Sequence, residues 1–136
     1  MLITGECFCS AVRYQIKGKL SSPRSCHCSR CRKVFGGAAS AYAIVDPNEF
    51  SWVAGEEFLT TFINREQIGM RFCSRCGSTL CGTYQGHIHG ITLGTLNETP
   101  DIGAITHIYV ASRAKWESLP DDIIQYAKAP PELIEP

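Results

Sequence analysis

Several things are scarce in this sequence, and each shortage removes a class of function. No apolar run approaches the roughly 20 residues that a membrane-spanning helix needs. Neither sign of charge is in excess, because Lys plus Arg and Asp plus Glu number 13 each. Nothing in that balance calls for a polyanionic partner such as nucleic acid, and none is expected. There is no Gly-rich phosphate loop and no Ser-His-Asp pattern, which argues against nucleotide binding and serine hydrolysis. Internal repeats and low-complexity segments are also missing. The N-terminal stretch Met1-Leu2-Ile3-Thr4-Gly5 has neither the basic segment nor the apolar core of a secretory signal. A cytoplasmic location is the expectation. There thiols stay reduced, so cysteines are read as metal ligands or reactive groups rather than as disulfides.

What remains is a chain of 136 residues, 44% hydrophobic and 19% charged, which suits one globular domain. The expected boundaries are residues 1–127 for that domain and 128–136 for an extended or mobile tail, since Pro130, Pro131 and Pro136 crowd the end. Short runs rich in Val, Ile, Thr, Tyr and Phe alternate with Gly, Pro and Asn punctuation, the mark of a mainly β fold. Strands are expected at Val12–Ile16, Ala41–Val45, Phe50–Val53, Leu59–Ile63, Ile68–Phe72, Thr79–Tyr84, Ile88–Leu93 and Ile105–Val110. Turns are expected at Asp46-Pro47-Asn48 and Asn64-Arg65-Glu66. Helix is expected only at Cys28–Val34, with a single further turn at Pro120-Asp121-Asp122-Ile123.

The cysteines carry the chemistry. Eight of them form three groups, Cys7-Phe8-Cys9, Cys26-His27-Cys28-Ser29-Arg30-Cys31 and Cys73-Ser74-Arg75-Cys76, with Cys81 alone. The Cys73/Cys76 spacing followed by Gly77 is that of a zinc knuckle, in which Gly77 takes the positive φ of the turn. Two thiolates leave a tetrahedron half filled, and Cys7 and Cys9 are the natural complement. In a strand, this C-x-C pair would point both side chains to one face. Four thiolates make a closed site that stabilises the fold.

The middle group is different. Cys26, Cys28 and Cys31 place three thiolates within six residues, and three protein ligands with one open position is the usual form of a catalytic zinc. His27 and Cys81 are the competing fourth ligands, although Cys81 reads more readily as a core residue. Arg30, Arg32 and Lys33 crowd the same loop with positive charge. They form either a solvated basic turn or a receiver for a substrate carboxylate. His87 and His89 share one face of a strand, and a solvent-facing or hydrogen-bonded pair is the simpler reading.

Taken in order, Gly5-x-Cys7-x-Cys9, Cys26-His27-Cys28-x-x-Cys31-Arg32-Lys33, Phe72-Cys73-x-x-Cys76-Gly77-Ser78 and His107-Ile108-Tyr109 resemble the glutathione-dependent formaldehyde-activating family, also called the CENP-V/GFA domain. The resemblance runs from about Gly5 to about Trp116. It implies the β-tent fold, a structural zinc on Cys7, Cys9, Cys73 and Cys76, and a second zinc on Cys26, Cys28 and Cys31 where chemistry occurs. It also implies two Zn²⁺ per chain, with a small thiol such as glutathione and a small aldehyde such as formaldehyde as partners. The implied activity is that of a carbon–sulfur lyase, S-hydroxymethylglutathione synthesis. One position departs from the pattern: the family often has Gly after the second cysteine of the first motif, and here it is Ser10. The alternative is a non-catalytic binding module in which both zinc sites are structural.

Overall fold

The computed structural model describes residues 2–133. The chain folds as two compact units, one made of the residues up to Ser21 with Tyr42–Ile102, the other of Ser22–Ala41 with the residues from Gly103 onward.

The first unit is built from antiparallel strands. β1 (Leu2–Glu6), β2 (Arg13–Lys17) and β5 (Phe50–Ala54) form one sheet in the order β1-β2-β5. Alternation drives it: Ile3, Tyr14 and Ile16 point inward, while Arg13 and Lys17 stay exposed. Gly5 lies opposite Tyr14, and a Cβ there would run into the tyrosine ring. That ring stacks on Phe50 at 5.3 Å, and its hydroxyl meets Thr95 Oγ1 at 2.7 Å. A second sheet runs β4 (Tyr42–Ile44), β9 (His87–Thr92), β8 (Thr79–Tyr84), β7 (Ile68–Cys73), β6 (Leu59–Ile63). Gln85 and Gly86, with φ of 51° and 82°, close the β8–β9 hairpin in the doubly left-handed form that suits strand twist. Asn64 closes β6–β7 by accepting the Glu66 and Ile68 amides on its side chain. Val12, Tyr14, Ile16, Ala43, Val45, Leu80, Cys81 and Ile91 make the core.

The second unit holds β3 (Ser21–Cys26) and β10 (Thr106–Ile108), paired in parallel with Cys26 beside Ile108. It also holds the one α-helix among the described residues, α1 (Ser29–Phe35). Gly36 ends α1 in the left-handed conformation at φ 65°. Residues 124–128 run alongside β10: the Tyr126 amide donates to the His107 carbonyl, and Tyr109 donates to Lys128. Further on, Pro130 is fully buried and Glu132 pairs with the buried Arg24 at 3.1 Å. Residues 134–136 of the anticipated tail lie outside the described residues.

The mainly β expectation holds, with some differences in detail. Asp46-Pro47-Asn48 opens a 3₁₀ turn over Pro47–Glu49, capped by Asp46. The last strand is shorter than its apolar run because Tyr109 turns to φ 55°. Pro120–Ile123 forms a turn without helix. Two strands, β1 and β3, had no counterpart in the sequence reading.

Candidate metal centres

The first centre lies within the first unit. Cys7 follows β1, and the chain turns back at once: the Ser10 amide donates to the Cys7 carbonyl at 3.0 Å, and Ser10 takes φ 66°. This corrects the strand geometry expected for Cys7 and Cys9. A tight turn, not strand alternation, brings the two sulfurs together, and they lie 3.6 Å apart. From the other side, Cys73 ends β7 and Gly77, at φ 81°, donates its amide to the Cys73 carbonyl at 2.7 Å. That is the left-handed glycine expected of the knuckle. Cys9 and Cys73 sulfurs stand 3.9 Å apart, and all four ligand atoms of Cys7, Cys9, Cys73 and Cys76 lie within 4.8 Å of one another. A tetrahedron with metal–sulfur bonds of about 2.3 Å has edges of about 3.8 Å, so the sulfur spacing fits a four-coordinate ion.

The thiols in this cluster share protons unequally. At Cys76 burial pushes the pKa up, but the Ser78 hydroxyl and amide and the Cys9 and Cys73 groups outweigh it and bring it down to about 5. At Cys9 a backbone hydrogen bond involving Ala11 pulls down, yet desolvation and the Cys7, Cys76 and Cys73 thiols carry it up to about 11. Neighbouring thiols thus favour the thiolate at Cys76 and oppose it at Cys9, and a bound cation would favour the thiolate form of its ligands.

The second centre lies within the second unit. Cys26 ends β3, Cys28 is the N-cap of α1 and Cys31 sits in its first turn. The Cys28 sulfur accepts the Cys31 amide at 3.4 Å. Ser40 braces Cys26 from two sides: its hydroxyl accepts the Cys26 amide, and its own amide donates to the Cys26 carbonyl, both at 3.0 Å. The three sulfurs lie within 4.8 Å of one another. Hydrogen bonding from Cys26, aided by Ser40 and Cys28, outweighs burial and lowers Cys31 to about 6, while Cys26 is pushed upward by the same Cys31 contact and by burial. Among the described residues, this cluster contains three ligands and no fourth. His27 is buried, but its Nε2 lies 3.0 Å from His107 Nδ1 and the two rings stack at 5.2 Å. Burial and its neighbour His107 lower the His27 pKa, and burial lowers that of His107. Cys81 belongs to the core of the first unit. Neither candidate fourth ligand joins the group.

Residues 2–112 match the family described as glutathione-dependent formaldehyde-activating enzyme. The chain belongs to that family. A protein of Halomonas elongata provisionally named as a glutathione-dependent formaldehyde-activating enzyme is 36% identical over 87 residues, covering 59% of this chain. The chain spans about half the length of that relative, 55% of it. A crystal structure of a Rhodobacter sphaeroides protein superposes with a TM-score of 0.58 at 25% identity, covering 76% of this chain and 98% of that one. Both cysteine clusters could hold metal ions, since each brings three or four sulfur donors within 4.8 Å of one another.

Two supporting residues escaped the sequence reading of roles. Ser78 stood in the motif without an assigned task, and its hydroxyl accepts the Phe8 amide at 2.8 Å and lies 3.3 Å from Cys76 Sγ. Ser40 carried no signal at all. Arg32 has a buried Nε, and His27 a buried Nδ1, with no hydrogen-bond partner among the described residues. His87 and His89 are exposed on β9. No helix among the described residues is long and apolar enough to cross a membrane.

Proposed function

We propose that this chain is a zinc-dependent enzyme that adds a small thiol, glutathione or a relative of it, to formaldehyde or a similarly small aldehyde in the cytoplasm. The observation that carries the reading is the three-sulfur cluster of Cys26, Cys28 and Cys31, to which neither His27 nor Cys81 contributes. Cys7, Cys9, Cys73 and Cys76 would hold a structural zinc. When bound at the three-cysteine cluster, a zinc ion supplies positive charge that lowers the pKa of a thiol brought to its open position.

The reaction forms one carbon–sulfur bond. The thiol sulfur adds to the carbonyl carbon, the C=O π pair moves to oxygen, and the thiol proton ends on that oxygen as a hydroxyl. The chain's own residues hold the cluster and position the substrate. Ser40 fixes Cys26 and lowers Cys31. α1 carries Arg30, Arg32 and Lys33 immediately around Cys31, so that positive charge stands beside the cluster. These side chains would receive a substrate carboxylate through charge-assisted hydrogen bonds. Orientation of both reactants would account for much of the rate gain over the spontaneous reaction.

The test is calorimetric titration of glutathione into zinc-loaded protein, with Cys28→Ser as the control. Saturable binding that disappears in the control supports the reading. Equal binding to both proteins, or none by any thiol tried together with no rate above the spontaneous thiol–aldehyde reaction, overturns it.

A further inference from the structure

The last strand of the larger sheet presents an edge that native proteins usually protect. β6 pairs with β7 alone among the described residues, and it does so without a bulge, unlike the β7–β8 and β8–β9 pairs. Its sequence, Leu59-Thr60-Thr61-Phe62-Ile63, contains no charge and no proline. Bulges, edge lysines and prolines are the usual means of keeping such an edge from pairing with another chain. Phe62 is 56% exposed and Ile63 45%.

The direction of each backbone group follows from the hairpin. Asn64 donates its amide to Ile68, and Ser74 donates to Phe58. Bonded and non-bonded pairs alternate along an antiparallel ladder. With the observed register, Thr60–Phe72 and Phe62–Met70 are therefore also bonded pairs. The N–H and C=O groups of Leu59, Thr61 and Ile63 point the other way, off the sheet.

We propose that this edge is a dimer interface, where a second copy of the chain adds its own β6 antiparallel about Thr61. In that register Thr61 faces Thr61 of the second copy, Leu59 faces Ile63, and Thr60 faces Phe62. Thr61 exchanges both backbone bonds with its counterpart, as do Leu59 and Ile63, so all the outward groups of these residues are satisfied at once. The shift is even, so each side chain keeps its own face of the sheet. The resulting cross-strand pairs, threonine with threonine and aromatic with β-branched, are among the favourable kinds. On the outer face Phe62 continues an apolar strip with the exposed Ile68 and Tyr84. A strand that complements itself this fully, with backbone parity and side-chain pairing in the same register, fits a two-fold symmetric partner.

The experiment is light scattering and sedimentation of the full metal-loaded chain over a wide concentration range. It compares wild type, Thr61→Pro and Thr61→Lys, with circular dichroism and metal content as folding controls. Proline at 61 removes an outward N–H without touching the β6–β7 bonds. The expected result is a wild-type dimer weakened by roughly tenfold or more in both variants. Thr61 amide exchange should also slow as concentration rises. A chain that stays monomeric, a dimer that persists in folded Thr61→Lys, or free Thr61 exchange in the dimer would each overturn the proposal.

Discussion

The hydroxyl of Ser78 receives the amide proton of Phe8, 70 residues away in the chain, and the same oxygen lies 3.3 Å from Cys76 Sγ. One atom thus ties the Cys7–Cys9 turn to the knuckle and steadies a thiolate. Ser78→Ala should leave the protein folded but weaken metal retention at the four-cysteine cluster by roughly 10–100-fold, the usual cost of losing a group that orients a ligand. Competition with a chromophoric chelator measures this, and unchanged retention would count against the assigned role.

Ser10 occupies a left-handed conformation that most L residues avoid. Glycine there removes the clash of Cβ with backbone but adds freedom to the unfolded chain. The first effect is the larger, so Ser10→Gly should stabilise the metal-loaded protein by about 0.5–1 kcal/mol in denaturant titration. A less stable variant would mean that the serine side chain contributes something beyond the turn.

Cys81 gives a pH dependence whose sign is clear. Burial lifts its pKa from 9.0 to about 11 against the opposing pull of Arg71. The folded state therefore binds this proton more tightly than the unfolded state does. Its contribution to stability is complete below the unfolded-state pKa and is lost as pH rises through the folded value. Wild type should lose about 2 kcal/mol relative to Cys81→Ala between about pH 9 and 11. Parallel stability curves for the two proteins would contradict it.

The two clusters should also separate by mutation. Cys28→Ser should lower metal content while leaving the first unit's stability close to that of wild type. Cys73→Ser should lower both, because Cys73 is fully buried in the core of that unit. Metal analysis together with thermal unfolding reads the difference, and equal destabilisation by both substitutions would refute it.

Local chemistry decided what was legible in the sequence. Leu59–Ile63 and Thr79–Tyr84 are strands to the residue, since Thr, Phe and Ile fill the first after Leu59 and Thr79, Thr83 and Tyr84 frame the second. β3 is Ser-Ser-Pro-Arg-Ser-Cys, which has no such signal; its extended form comes from parallel pairing with β10, a contact across some eighty residues. The cysteine groupings were visible from spacing alone. The turn that joins Cys7 to Cys9 was not, because a serine holds a conformation that composition assigns to glycine. Ser40 and the His27–His107 contact likewise depend on distant pairing.

The separation in sequence within each cluster has a consequence for the unfolded chain. An ion shared by Cys9 and Cys73 bridges a span of 64 residues, whereas one shared by Cys26 and Cys31 closes a loop of only a few. Loop-closure entropy grows with the logarithm of length, so the longer span restricts the disordered ensemble by about 2 kcal/mol more. The short clasp contributes little by this route, so exchange of a ligand or loss of an ion at Cys26, Cys28 and Cys31 leaves the chain's long-range connectivity as it was.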